Sequence, residues 1–269
     1  MRFADDHMHT SFSMDGISPM RDMVKAAVDR GLFEICFTEH LEIGHPDPGM
    51  DIPVDLSVYR KEIETCRELY PELTIHIGME IADNPPFRAQ LYDYVAKADL
   101  DFHLLSLHLI DGQDPYFPKY YEGKSQVESY RRYVECKLES ALTYGEFDAL
   151  AHLGYCGKFA PYGRDENPLK WHHAPDLIDA LLKHLAQNGK ALEINTSGYK
   201  TTDYPIPGDD ILRRFAELGG EFVTLGADAH ETKYVGFEFE RARQLALSCG
   251  LKWAVTFEKH KPIPYSLEG

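Results

Sequence analysis

The sequence predicts an α/β barrel built as one domain. Two observations carry that expectation: short apolar runs alternate with segments of helical spacing, and an imidazole or carboxylate stands at the end of run after run. A third is the absence of any internal repeat, low-complexity tract or composition shift that would mark a linker. A chain of 269 residues fits a single barrel of this class.

Strands are expected at 2–6, 34–38, 74–79, 102–107, 149–151, 191–194 and 222–225, seven in all. Apolar residues recur at helical intervals between and after them, at 19–30, 56–70, 87–98, 126–144, 175–187, 209–218 and 233–248. Arg30-Gly31, Tyr144-Gly145, Asn188-Gly189 and Leu218-Gly219 close several of these segments, where glycine accepts the left-handed conformation that ends a helix. Two stretches, 44–55 and 111–124, are too long and too rich in Pro, Gly, Tyr and Asp for plain connectors. Both follow strands, and in an α/β barrel the loops after strands line the active face.

The formal net charge of −16 disfavours extended nucleic acid and favours a small substrate. Five cysteines, Cys36, Cys66, Cys136, Cys156 and Cys249, stand singly with no CxxC pair, as expected of free thiols in the cytoplasm. No basic start followed by an apolar run opens the sequence, and no apolar run is long enough to span a bilayer, so an unsecreted protein without a membrane partner is expected.

The chemistry is concentrated at strand ends. The first strand runs into His7-Met8-His9, whose rings point to one side of an extended backbone. The second ends in Thr38-Glu39-His40, the third in Gly78-Met79-Glu80 and the fourth in Ser106-Leu107-His108. Ala151-His152, Glu193-Ile194-Asn195 and Asp228-Ala229-His230 follow the remaining three. Barrel geometry would bring all seven ends to one face, where clustered carboxylates are costly unless cations neutralise them. Imidazoles and carboxylates without thiolates suit a catalytic site for Zn, Fe or Mn, and six histidines with several acids are enough for two or three divalent ions.

His7-Met8-His9-Thr10, Ser13, Asp15-Gly16, Thr38-Glu39-His40, Glu80, Ser106-Leu107-His108, His152 and Asp228-Ala229-His230 occur in the order found in the polymerase and histidinol phosphatase (PHP) family, which this chain resembles over nearly its whole length. The resemblance implies a distorted (β/α)7 barrel of the PHP type with a trinuclear metal centre. It implies His7, His9, Glu80 and Asp228 at one ion, Glu80, His108 and His152 at a second, and Asp15, His40 and His230 at a third, Glu80 bridging. Asp15 stands where the family uses either His or Asp. Leu192-Glu193-Ile194-Asn195-Thr196-Ser197-Gly198 is similar to a segment of the histidinol phosphate phosphatase branch, although the Arg that often follows is replaced here by Lys200 as the nearest base.

The activity so implied is hydrolysis of a phosphomonoester, L-histidinol phosphate, to L-histidinol and phosphate in histidine biosynthesis. Divalent ions would lower the pKa of water from about 15.7 towards roughly 7 and neutralise the phosphoryl group. Glu80 and Asp228 are the expected catalytic carboxylates, and the leaving alkoxide would take its proton from a metal-bound water or from an acid such as Asp228. Arg164, then Lys158 and Lys200, are the expected phosphate-binding cations, and Glu42 heads the loop acids expected near a cationic substrate. Two other readings compete. One is a PHP phosphoesterase acting on nucleotides or short oligonucleotides; the other is a non-catalytic metal-binding module, whose mark would be missing ligands, and none is missing. His76 and His103, inside strands, read as satisfied packing residues, and His260 near the chain end is assigned no role.

Overall fold

In the computed structural model, which describes residues 2–269, nine strands hydrogen-bond in sequence order: β1 (Ala4–Met8), β2 (Glu34–Leu41), β3 (Thr74–Ala82), β4 (Phe102–Ser106), β5 (Ala149–Leu150), β6 (Ala191–Asn195), β7 (Phe222–Gly226), β8 (Trp253–Glu258) and β9 (Lys261–Ser266). Strands β1 to β8 run parallel and β9 returns antiparallel to β8. The seven expected strands are all present. β8 and β9 lie beyond the seven expected, and β9 carries Pro262 and Pro264, which a strand interior rarely holds. Proline is tolerated on an edge strand, and Pro262 and Pro264, two residues apart, deny that edge two N–H donors for further pairing.

The ring of strands closes at one end only. The His9 N–H donates to the Ala229 carbonyl (2.9 Å) and the Asp228 N–H to the His7 carbonyl (2.8 Å), so the end of β7 meets β1. At its other end β7 pairs instead with β8, through Phe222–Trp253 and Val223–Ala254. The β8–β9 hairpin therefore wedges the lower end apart, which is the distortion of this barrel. Cys36, Phe102, Leu104, Ala149, Ala151, Ala191, Val255 and Phe257 plug that end from within.

Eight helices lie outside: α1 (Met20–Asp29), α2 (Leu56–Leu69), α3 (Arg88–Ala98), α4 (Gln126–Tyr144), α5 (Tyr155–Lys158), α6 (Pro175–Gln187), α7 (Asp209–Glu217) and α8 (Phe239–Ser248). The helix expected over 233–248 starts only at Phe239, because Gly236 (φ 63°) and Glu238 (φ 56°) are left-handed. That break lets the Gly236 N–H donate to Asp5 Oδ2 (2.8 Å). Asp5 also accepts from the N–H groups of Ala227 (3.0 Å) and His7 (3.4 Å), locking the ligand-bearing end of β1 against β7. Burial pushes the Asp5 carboxyl up to about 7 despite these bonds. Among the described residues no helix is long and apolar enough to cross a membrane.

Candidate metal centre

The ends of β1 to β5 and of β7 deliver side chains to one cluster, and Glu80 stands in the middle. Its Oε1 lies 2.7 Å from His152 Nε2 and 3.3 Å from His108 Nε2. Its Oε2 lies 2.9 Å from His40 Nδ1, 3.4 Å from His7 Nε2 and 3.5 Å from His9 Nε2. Asp228 Oδ1 is 3.6 Å from His9 Nε2, 3.8 Å from His7 Nε2 and 3.6 Å from His230 Nδ1. Asp15 spans His40 Nε2 (3.5 Å) and His230 Nε2 (3.1 Å). The strand register explains Glu80: β3 runs to Ala82, three residues past its expected end, so Glu80 sits within the strand, beside His40 of β2.

Three features show that these residues suit cations. The Nε2 atoms of His7 and His9 face each other at 3.0 Å, and neutral rings in that pose share at most one proton. Glu80 Oε2, His40 Nδ1 and His230 Nε2 are buried and, although His40 stands 2.9 Å from Glu80 and His230 3.1 Å from Asp15, none of the three makes a well-directed hydrogen bond, a poor arrangement for polar atoms unless something else binds them. Two ligand positions also have left-handed backbone, His152 at φ 22° and Asp228 at φ 50°, strain of the kind retained at functional sites. The triplets His7, His9 and Glu80, His40, Glu80 and His108, and His9, His40 and His230 each place their ligand atoms within 4.8 Å of one another. The cluster can hold several divalent ions.

The protonation pattern follows from charge. Burial disfavours charge on every ring here, yet Glu193 and Glu80 hold His7, and Glu80 and Asp15 hold His40, well above the ordinary imidazole value. Glu42 and Glu80 likewise raise His108 to about 10. Burial wins at His9, which the charges of His40 and His230 depress further, and at His152, lowered to about 4. Burial would raise Glu80 and Asp228, but the facing His7 and His40 at the former, and Lys158 and His7 at the latter, hold both carboxyls well below their usual range. Without metal, protons on His7, His40 and His108 supply the counter-charge that ions would supply.

A second layer of side chains orients the rings. Glu193 Oε1 is 2.5 Å from His7 Nδ1 and its Oε2 accepts the His152 N–H (2.6 Å). Glu42 Oε1 is 2.5 Å from His108 Nδ1. Each pairing occupies Nδ1, so the opposite nitrogen, Nε2, which faces Glu80, is the one that would ligate an ion once its proton is displaced. Glu39 is buried and accepts from Thr10 and Ser13, whose Oγ in turn receives the His40 N–H. Glu42→Gln should lower metal affinity roughly 10- to 100-fold while leaving the fold intact; metal content after dialysis against graded chelator measures it, and an unchanged affinity would remove Glu42 from this role.

The predicted residues divide clearly. His7, His9, Asp15, His40, Glu80, His108, His152, Asp228 and His230 come together. Lys158 joins them, its Nζ 2.9 Å from Asp228 Oδ2 on the cavity wall. Lys200 lies outside the cavity lining with its ammonium 3.9 Å from the centre of the Tyr234 ring, lowered to about 8 by burial. Arg164, the first choice for phosphate, is exposed and turned away, donating to the Thr201 carbonyl (3.2 Å) and Asp203 (3.0 Å). Glu42, expected near the substrate, lines the cavity and pairs through Oε1 with His108. Asp228, whose carboxyl Lys158 and His7 hold well below the usual range, accepts from Lys158, Asn195 and Ser197.

Above the ligands opens a cavity of about 370 Å³. The two long loops rim it, with His45, Asp47 and Met50 from one and Asp114, Tyr116 and Phe117 from the other, joined by Tyr155 and Phe159. Asp114, Tyr116, Tyr155 and Phe159 escaped the sequence reading because no spacing places a loop side chain over a barrel mouth. Glu193 did carry a signal, since it stands at a strand end like the ligands themselves.

A cluster of divalent-metal ligands at the carboxyl ends of barrel strands defines the class, and the chain belongs to the PHP domain family, whose model matches residues 5–197. The chain is 31% identical over 263 residues to the histidinol-phosphatase of Lactococcus lactis subsp. lactis (strain IL1403), covering 97% of this chain and 96% of that protein. It is 25% identical over 268 residues to the histidinol-phosphatase of Bacillus subtilis (strain 168), covering 89% of this chain and 98% of that one. The crystal structure of histidinol phosphate phosphatase from Lactococcus lactis subsp. lactis Il1403, complexed with Zn, L-histidinol and phosphate, matches with a TM-score of 0.88 at 29% identity, covering 97% of this chain and 99% of that chain.

Proposed function

We propose that the chain, acting as one domain, is a phosphomonoesterase that hydrolyses L-histidinol phosphate to L-histidinol and inorganic phosphate, a step of histidine biosynthesis. The observation that carries this reading is the convergence of six imidazoles and three carboxylates on the floor of one open cavity, in a chain so similar to a histidinol-phosphatase. His7, His9, Glu80 and Asp228 would hold one ion, Glu80, His108 and His152 a second, and Asp15, His40 and His230 a third. The donor set, and the zinc in the Lactococcus lactis structure, favour zinc. Bound there, divalent ions supply an activated water near neutral pH and charge neutralisation for the phosphoryl group.

The chain's own residues do the rest. Lys158 presents an ammonium to the phosphate from the cavity wall, and Glu193 and Glu42 fix the faces of His7 and His108. Asp47 and Asp114, set among Tyr116, Phe117 and Phe159, offer acidic and aromatic surface to an ammonium and an imidazole. The same acids repel a polyanion, which weighs against oligonucleotides. All five cysteines are free, as suits the cytoplasm. Phosphate release from L-histidinol phosphate, measured beside nucleotide and sugar phosphates on protein of known metal content, should favour histidinol phosphate at least about tenfold in kcat/KM, a difference of roughly 1.4 kcal/mol. Equal or better turnover of a nucleotide would defeat the substrate assignment and leave the metal chemistry standing.

A further inference from the structure

At the opposite end of the barrel from Glu80, three more metal-binding side chains meet. His103 lies at the start of β4, Asp148 immediately before β5, and His260 at the tip of the β8–β9 hairpin. Their ligand atoms all lie within 4.8 Å of one another. His260 Nδ1 is 2.8 Å from Asp148 Oδ2, and the two imidazole rings are 4.2 Å apart at 62°. His103 Nδ1 is 3.1 Å from the Glu146 carbonyl, so its N–H is spent there and Nε2 keeps the lone pair. Two ligand atoms about 2.1 Å from a tetrahedral ion sit roughly 3.4 Å apart, within the range these side chains span.

The backbone supplies a second, independent observation. The hairpin turn is Lys259-His260, with both residues left-handed at φ 48° and 62°. A two-residue turn of this kind favours Asn-Gly, and lysine and histidine there carry strain of about 1 kcal/mol each. The turn is nevertheless clamped onto the barrel. Lys259 Nζ donates to the Asp99 carbonyl (2.9 Å) and pairs with Asp101 (3.2 Å), and the His260 N–H donates to the Asp101 carbonyl (2.9 Å). The strained tip is thus held where its imidazole faces Asp148 and His103, while His260 stays 42% exposed, leaving an ion a path from solvent and room for water.

We propose that His103, Asp148 and His260 bind one divalent transition ion of the zinc type, which fastens the C-terminal hairpin to the lower end of the barrel. Two imidazoles and one carboxylate select such an ion over calcium or magnesium, which prefer oxygen. The amino-terminal face of a barrel serves stability rather than chemistry. The role is therefore structural and independent of the phosphatase centre.

The test counts zinc per chain after equilibrium dialysis of the full-length protein against micromolar zinc. His260→Asn is the informative variant, because asparagine accepts the left-handed turn and can still bond Asp148 while lacking the imidazole. Wild type should hold one more zinc per chain than His260→Asn, phosphate release being the same for both. That difference should persist in a Glu80→Ala background, where the upper centre is impaired. Equal zinc content in wild type and His260→Asn would overturn the proposal and leave only a hydrogen-bonded latch. Disappearance of the difference in the Glu80→Ala background would also overturn it, since the zinc counted would then belong to the upper centre.

Discussion

Glu80→Gln should reduce kcat on the order of a thousandfold or more, the scale of loss when one charge-stabilising group leaves a water-excluded site. The substitution keeps the shape of the side chain and removes one negative charge. That charge faces five imidazoles, those of His7, His9, His40, His108 and His152, all within 3.5 Å of a Glu80 oxygen. An amide can accept through one oxygen only, so the ligand sets that share Glu80 lose their common member. Metal content should fall with activity, while circular dichroism stays that of the wild type, because the strand pairing around residue 80 uses the backbone. A Glu80→Gln protein with wild-type turnover and undiminished metal content would refute the role of Glu80 as the shared ligand.

What the sequence revealed depended on periodicity. A parallel barrel sends every strand end to one face, so His7, His9, Glu80, His108, His152 and Asp228 could be grouped from strand position alone, though they span most of the chain. Lys158 was within reach because it follows β5 closely. Arg164 misled because the loop that carries it has no period, and its guanidinium found Asp203 on the surface rather than the cavity. Glu42 was placed on the cavity by its loop, but its pairing with His108, 66 residues away on another strand end, was not legible. Pro262 and Pro264 concealed β9, and with it the return of His260 to Asp148 across 112 residues. Contacts set by loop conformation or by a distant edge strand leave no local trace.

Removing the metals should make stability fall at alkaline pH, where the loaded protein holds. In the metal-free centre Glu42 and Glu80 raise His108 to about 10 from an ordinary value of 6.5. A group raised on folding contributes stability that is fully present below its unfolded value and is lost as pH rises through the folded one. For His108 that window is about 6.5 to 10, and the contribution is on the order of 5 kcal/mol, from about 1.4 kcal/mol per pH unit. Glu80 and Asp228, held below their usual range, act in the opposite sense: their contribution is present above the ordinary carboxylate value and disappears in acid. Metal-free protein should therefore be most stable near pH 5 to 6.5, and its Tm should drop by several degrees between pH 7 and 10, at roughly 2–4 °C per kcal/mol for a chain of this size. Divalent ions displace these protons and remove the alkaline loss, and because ions and protons compete for the same lone pairs, acid below about pH 6 should discharge the ions and abolish phosphate release. Activity should return when metal is restored at neutral pH. Thermal melts of chelated and metal-loaded protein across pH 5 to 10 check both halves, and identical pH profiles for the two forms would mean that the protons on these histidines do not occupy the metal positions.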